Sequence, residues 1–280
     1  MKPAELDFLS CPICAQPLLG QGSSFLCPNR HLFDRAKEGY LHLLPVSKMH
    51  SSHPGDDAEM VKSRRRFHEN DYYRSLRLAL TEKVTGSSLL IDCGCGEGYY
   101  TASFARVCNR VLGIDLSKEA IRLASKADKE SFYLVAGSFS LPVKDACADV
   151  VTNIFTPVAD KEIARVLKEN GKMLVVMPGK RHLWGLKEFL YETPYENAEQ
   201  VREYPDFDLS SVTRVEDGIT VKSSESIMAL FSMTPYAHKT APDAVERLIG
   251  LDSLSTEISF LICEYRKKQA SRAQSPEKIG

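Results

Sequence analysis

The chain has 280 residues, 43% of them hydrophobic, and a formal net charge of −1. That length suits one sizeable domain plus a small module, and the composition is that of an ordinary globular protein, so a uniformly basic nucleic-acid coat is excluded while a local basic face is not. No apolar run approaches the ~20 residues that cross a bilayer, and the N-terminus lacks the basic-then-apolar layout of a secretory signal, so a cytoplasmic protein is expected.

In a reducing compartment the eight cysteines are expected as ligands or buried thiols rather than disulfides. Cys11-Pro12-Ile13-Cys14 is followed after a twelve-residue gap by Cys27-Pro28-Asn29-Arg30-His31. A two-residue gap lets both thiolates of a knuckle face one metal, and the second pair completes a tetrahedron with no open position. Cys11, Cys14, Cys27 and His31 are therefore expected to hold a structural zinc ion in a ribbon-like module over residues 1–45, a segment too poor in apolar residues to fold on its own core. Arg30, Arg35, Lys37 and Lys48 are left as weak candidates for phosphate contacts among the acids Asp34 and Glu38.

Residues 46–80 are expected to form a linker and basic helices. Pro45 to Asp57 is rich in Ser, His, Pro and Gly, which marks a loop. From about Ala58 the apolar residues Met60, Phe67, Leu76 and Leu80 fall near helical spacings, with a break at Asn70-Asp71. Lys62, Arg64, Arg65, Arg66, Arg74 and Arg77 make this the most basic stretch, interleaved with Phe67, Tyr72 and Tyr73. Two readings stay open: an RNA-facing surface, with aromatics on bases and guanidinium groups on phosphates, or an ordinary solvated helix face. Tyr72 or Tyr73 is also placed to fold back over a following pocket.

Residues 81–266 are organised around Leu89-Leu90-Ile91-Asp92-Cys93-Gly94-Cys95-Gly96-Glu97-Gly98, which reads as a strand running into a glycine turn and a helix. Val111–Asp115 is a second strand, with Ser117 capping a helix through Lys129. Further strands are expected at Phe132–Ala136, Ala148–Phe155 and Lys172–Met177, with a helix over Lys161–Lys168 that stops near Asn170-Gly171. Alternating strands and helices predict an α/β fold with a mostly parallel sheet covered on both faces. Asp115, 17 residues after Gly98 at a strand tip, is placed to accept ribose hydroxyls.

The glycine spacing selects the cofactor. The dinucleotide fingerprint G-x-G-x-x-G sets a pyrophosphate on the helix N-terminus. Here Asp92 precedes Gly94, Gly96 and Gly98, and a carboxylate there repels pyrophosphate but suits a cationic amino-acid end and a sulfonium. The chain looks like a class I Rossmann-like methyltransferase with a seven-stranded sheet that uses S-adenosylmethionine. Downstream, a helix near Leu183–Tyr191, a strand over Ser211–Lys222, a helix over Glu225–Met233 and a last strand over Glu257–Tyr265 match the antiparallel addition of that class. Residues 267–280 are polar and expected to form a disordered tail.

The zinc spacing, Phe33 through Tyr40, Leu43-Leu44-Pro45, Pro54-Gly55-Asp56, Arg65-Arg66-Phe67, Cys95 through Tyr100, Pro178-Gly179 with Arg181-His182, and Met233-Thr234-Pro235-Tyr236 together resemble the bacterial 23S rRNA guanine-N1 methyltransferases, the family called RlmA or RrmA with the tylosin-resistance member TlrB. The resemblance runs to about Tyr265. It implies zinc at the four residues named above, cofactor contacts at Tyr73, Gly96, Glu97 and His182, and a homodimer whose zinc modules shape an RNA-binding cleft. The implied substrate is one of two neighbouring guanines in an rRNA hairpin lining the peptide exit tunnel near the macrolide site. The chain departs from related sequences at Asn170-Gly171 and at Ile154-Phe155-Thr156-Pro157, neither of which touches an expected ligand.

Methyl transfer needs alignment of sulfur, methyl and attacking nitrogen, and guanine N1 must lose a proton. The Phe155-Thr156-Pro157 loop carries no acid, which suits a ring nitrogen better than an exocyclic amine. The catalytic base is not identified: His182 and Glu97 are candidates by location, and a ligand role explains each equally well. Phe155 is a candidate for stacking on the target base, although burial in a core is the commoner fate of such an aromatic. Two rivals are a small-molecule methyltransferase, which leaves the zinc module and basic bridge unexplained, and a zinc-bearing RNA-binding protein with a silent domain, against which the intact glycine turn and Asp115 argue.

Overall fold

The computed structural model describes residues 6–45 and 58–269. Lys48, the Pro54-Gly55-Asp56 step, most of the expected linker and the tail from residue 270 lie outside the described residues.

The N-terminal module is an antiparallel sheet of β1 (Leu19–Gln21), β2 (Ser24–Leu26) and β3 (Leu32–Asp34). Such short strands bury little by themselves. Phe8, Leu9, Leu18 and Phe25 instead join one apolar cluster with Leu112, Phe132 and Leu141 of the main domain. β4 (Leu41–His42) then leaves the module and pairs in parallel with β7 (Phe132–Val135), so the module supplies the edge strand of the main sheet. Leu9 bridges Val143, and the Ser10 amide donates to the Pro142 carbonyl at 2.9 Å. Two units expected from composition thus share one core.

The main sheet runs β10-β11-β9-β8-β5-β6-β7-β4, with β5 (Leu90–Cys93), β6 (Val111–Asp115), β8 (Ala148–Ile154), β9 (Leu167–Pro178), β10 (Phe207–Lys222) and β11 (Ser253–Lys267). Seven of these eight strands are those expected, and β4 is the eighth. Strands β4 to β9 are parallel, and β11 enters antiparallel between β9 and β10. β5 and β7 are buried throughout, as a sheet covered on both faces requires. The order reverses at β5, which lies between β6 and β8; the crevice at such a reversal is where ligands bind.

Helix α1 (Ala58–Glu69) and α2 (Arg74–Val84) flank the expected break, where Asp71 has φ +54° and accepts from Arg77 Nη2 at 2.7 Å. After the glycine turn α3 (Thr101–Phe104) is a single turn, and α4 (Lys118–Ala127) starts at Ser117, whose hydroxyl accepts from the Ala120 amide. α5 (Asp160–Val166) ends earlier than expected: Leu167 is already extended and opens β9. Asn170-Gly171 lies in an irregular stretch of β9, where a Cβ on Gly171 would meet Leu167 Cδ2 at 2.9 Å. The close turn of backbone, not a helix stop, selects glycine there. α6 (Trp184–Leu190) and α7 (Ser224–Ser232) match expectation. α8 (Pro242–Ile249) was not foreseen, although Pro242 at its first turn is a start signal.

Candidate active site and metal centre

A cavity of about 1270 Å³ opens at the carboxyl ends of β5, β6, β8 and β9. Its floor is the glycine turn, where Gly94, Gly96 and Gly98 take φ of +73°, +56° and +86°. Two physical reasons select them. A Cβ on Gly94 would lie 2.3 Å from Thr156 Cγ2, and one on Gly98 would lie 2.7 Å from Tyr133 Oη, so both are packing glycines. On Gly96 a Cβ would meet only Arg64 Nη1, at 3.9 Å, and would otherwise occupy the cavity. That is a backbone bared for a ligand. Tyr100, whose buried hydroxyl has no partner, also lines this space, a polar group that a bound cofactor or water would satisfy.

Asp115 lines the cavity from the tip of β6, its Oδ2 accepting from the Gly96 amide at 2.9 Å and its Oδ1 from the Ser117 amide at 2.8 Å. The two amides fix the carboxylate plane at the strand tip where ribose hydroxyls are held in such folds. Asp92 sits deeper, 1% exposed, and accepts the hydroxyls of Thr101 at 2.6 Å and Thr152 at 2.8 Å. Burial pushes its carboxyl up to about 6 against those two hydrogen bonds, and the Asp115 charge adds to the rise. Asp92 therefore ties β5, α3 and β8 together beneath the turn.

Glu97 faces His68 of α1, with Oε1 2.5 Å from His68 Nδ1. The His68 ring lies flat on Tyr99, centroids 4.2 Å apart and planes 13° from parallel. Burial works to raise the Glu97 carboxyl, but His68 and Arg64 outweigh it and hold the group below its usual range. Glu97 is thus an anion in the cavity wall.

Tyr73 is buried between Phe67 and Phe260, with ring centroids 4.9 and 5.0 Å away, and lines the cavity. His182 packs on Phe260 at 4.5 Å, and its Nδ1 accepts from the Ser259 amide at 3.3 Å. Burial, helped by Lys187, drives its pKa down to about 3. The imidazole is then neutral, and with Nδ1 accepting from that amide its proton sits on Nε2. Phe155, 46% exposed, lines the same cavity with φ +59°. A bulky residue in the left-handed region is strained, and such strain collects at ligand sites.

In the N-terminal module, Ala15 and Arg30 take left-handed φ of 57° and 64°, curling each knuckle back on itself. Cys14 Sγ lies 3.7 Å from Cys27 Sγ, and His31 Nδ1 lies 3.5 Å from Cys11 Sγ and 3.3 Å from Cys27 Sγ. All four donor atoms fall within 4.8 Å of one another. Zinc bonds of about 2.3 Å to sulfur and about 2.0 Å to nitrogen span tetrahedral edges of roughly 3.5–3.8 Å, so the set fits one ion. Pro12, inside the first knuckle, lines the cavity mouth.

The family model described as "RlmA, N-terminal" matches residues 9–52, and one described as "Methyltransferase domain" matches residues 91–175. A Streptomyces fradiae protein named 23S rRNA (guanine(748)-N(1))-methyltransferase is 28% identical over 94% of this chain and 99% of its own length. A Micromonospora griseorubida protein, provisionally named a 23S rRNA (guanine-N(1)-)-methyltransferase, is 32% identical over 65% of this chain and 70% of its own. The chain belongs to the 23S rRNA guanine-N1 methyltransferase family. Another relative with that provisional name, YxjB of Bacillus subtilis, is 29% identical over 93% of this chain and 98% of its own length. The chain carries the family's two units, with S-adenosylmethionine and a structural zinc ion as cofactors.

As a member of this family the chain brings Tyr73, Asp92, Gly94, Gly96, Glu97, Asp115, Phe155 and His182 to one cavity, and Gly98 packs just beneath it. Three residues of the basic run have different surroundings. Arg65 pairs with Glu69 of its own helix at 2.9 Å, Arg66 pairs with Glu225 of α7, and Arg64 turns inward to the cavity. His68 and Phe260 were not picked out from sequence, yet both shape the site. The available signal for His68 was its place one helical turn after Arg64.

Proposed function

We propose that this protein transfers the methyl group of S-adenosylmethionine to N1 of a guanine in a 23S rRNA hairpin lining the peptide exit tunnel near the macrolide site. We propose also that it acts in the cytoplasm as a homodimer. Among the described residues no helix is long and apolar enough to cross a membrane. The observation that carries the reading is the shared cavity, where the glycine turn and Asp115 meet Phe155 and the zinc knuckle's Pro12. A cofactor floor and an RNA-scale module then face one opening.

The cofactor brings an electrophilic methyl when bound. Asp115 would hold its ribose, the bared Gly96 backbone and Glu97 its methionine side, and Tyr73 and His182 the wall around the transferring group. Asp92 keeps the turn rigid through Thr101 and Thr152. Phe155 offers an exposed ring at the cavity, and a base–aromatic stack contributes about 1–3 kcal/mol. His182, neutral and protonated at Nε2, donates a hydrogen bond to the acceptor edge of the base while N1 passes its proton to water and its freed electron pair forms the new bond to the methyl carbon, stabilising the charge that develops there. Its role is to hold a proton, not to remove one.

The test is reverse transcription across the exit-tunnel hairpins of 23S rRNA from a strain lacking the gene and from the same strain complemented. N1-methylguanine blocks base pairing, so a stop at one guanine that returns only with the gene is expected. Identical traces in the two strains contradict the reading.

A further inference from the structure

Helix α6 carries a charge where its packing calls for an apolar side chain. Leu186, Lys187 and Leu190, with Leu183 just before the helix, fall at the spacing of one helical face, and all four are buried. Among the described residues Lys187 is the one lysine or arginine that is buried. A lysine there gives up its hydration, so its ammonium needs partners within the protein. They come from the irregular segment that follows the helix: Lys187 Nζ donates to the Tyr195 carbonyl and to Asn197 Oδ1, each at 2.7 Å. The same nitrogen lies over the Tyr195 ring, 4.5 Å from its centroid, and 5.7 Å from that of Tyr236.

These contacts fix a stretch that has neither helix nor strand of its own. Asn197 also donates its side-chain amide to the Gly179 carbonyl at 2.8 Å and its backbone amide to the Lys180 carbonyl at 2.9 Å, which ties the stretch to the turn after β9. Tyr195 then lines the cavity while 54% exposed. A ring so exposed adds little to the core, yet a buried cation holds it in place. Its fixed position serves something that enters the cavity.

β8 and β9 lie on the side of β5 away from β6, the strand that ends in Asp115. Phe155 follows β8, and the turn that anchors the Tyr195 segment follows β9. Both exposed rings therefore belong to the half of the sheet opposite the ribose position. N1 lies on the Watson–Crick edge of guanine, so the target reaches a methyl donor only when unpaired, and the loop bases next to it are open to stacking. We propose that Tyr195 is a second stacking site for the RNA, taking an unpaired base beside the target guanine, with Lys187 as its positioning residue. The ammonium covers one face of the ring and leaves the other to the base. This rests on the RNA methyl-transfer reading above.

The experiment uses the full chain with S-adenosylmethionine and 23S rRNA from a strain lacking the gene. Tyr195→Ala is expected to raise KM for RNA roughly five- to a hundredfold, the range of one base stack, with kcat within about twofold of wild type. Its affinity for S-adenosylhomocysteine, read by calorimetry, is expected to stay unchanged. Tyr195→Phe, which keeps the ring, recovers most of the loss. Lys187→Met raises KM less than Tyr195→Ala does, yet melts at or above the wild-type temperature, because an apolar side chain suits the buried stripe. The double variant is expected to be no worse than Tyr195→Ala alone, since the lysine acts through the ring. A normal KM in Tyr195→Ala overturns the inference, as do losses that multiply in the double variant or a KM that rises in step with lost cofactor affinity. If wild type methylates no RNA, the reading beneath falls; if it does and Tyr195→Ala matches it, only the stacking site falls.

Discussion

Phe25 of the zinc module lies against Phe132 of the central sheet, ring centroids 6.3 Å apart, with neither ring exposed. The metal that shapes the module therefore also supports the sheet edge next to the cofactor cavity. Cys14→Ser is expected to abolish stoichiometric zinc, measured by elemental analysis, and to lower the melting temperature of the whole chain in one transition. A chain that loses zinc but melts as wild type would show the module to be energetically separate. Because Pro12 lines the cavity, the same variant should also bind S-adenosylhomocysteine more weakly.

Asp92 carries a pH signature. Burial raises its folded pKa to about 6, above the 3.8 of an ordinary aspartate, so its ionisation opposes folding by roughly 3 kcal/mol once pH exceeds about 6. The penalty fades as pH falls through about 6 toward the ordinary carboxylate range. Asp92→Asn is expected to gain stability relative to wild type at about pH 7.5, and that advantage should shrink by about 1 kcal/mol at about pH 5. Urea titrations at the two pH values check it, and a difference that stays flat with pH would contradict it.

His182, held near 3 by burial, should not titrate between about pH 5 and 9. Nitrogen NMR of the labelled imidazole is expected to show a neutral ring with an unprotonated Nδ1 throughout. His182→Gln, which keeps a donor, should retain more turnover than His182→Ala. An acid limb in the rate profile that disappears in His182→Gln would instead make the residue a base.

Phe155 exposes a ring from a left-handed backbone. Phe155→Gly removes a strain of about 1–2 kcal/mol but also a ring packed on Phe260 at 5.6 Å, so stability should stay within about 1 kcal/mol of wild type. Turnover on RNA is expected to drop by the worth of a base stack, about 1–3 kcal/mol, with cofactor affinity unchanged. Equal loss of stability and turnover would mark the ring as a core residue.

The parts of this molecule that sequence made legible are those fixed by local rules. The glycine turn, Asp115 and the cysteine knuckles depend on backbone conformations and spacings of a few residues, and they stand where the pattern puts them. What escaped depends on distant partners. His68 meets Glu97 across 29 residues, and β4 finds β7 across about ninety; no periodicity within either segment encodes such a pairing. The arginine run stayed open between two readings for the same reason, since its charges were legible but the carboxylates of Glu69 and Glu225 that pair with two of them were not.

The most direct test of the central claim is transfer of label from methyl-labelled S-adenosylmethionine by the purified protein, in a mixture of 23S rRNA from a strain lacking the gene, total protein and small metabolites from the same cells. Label is expected in the RNA, recovered after digestion as N1-methylguanosine from one hairpin. Label in protein or metabolites with none in RNA would contradict the account.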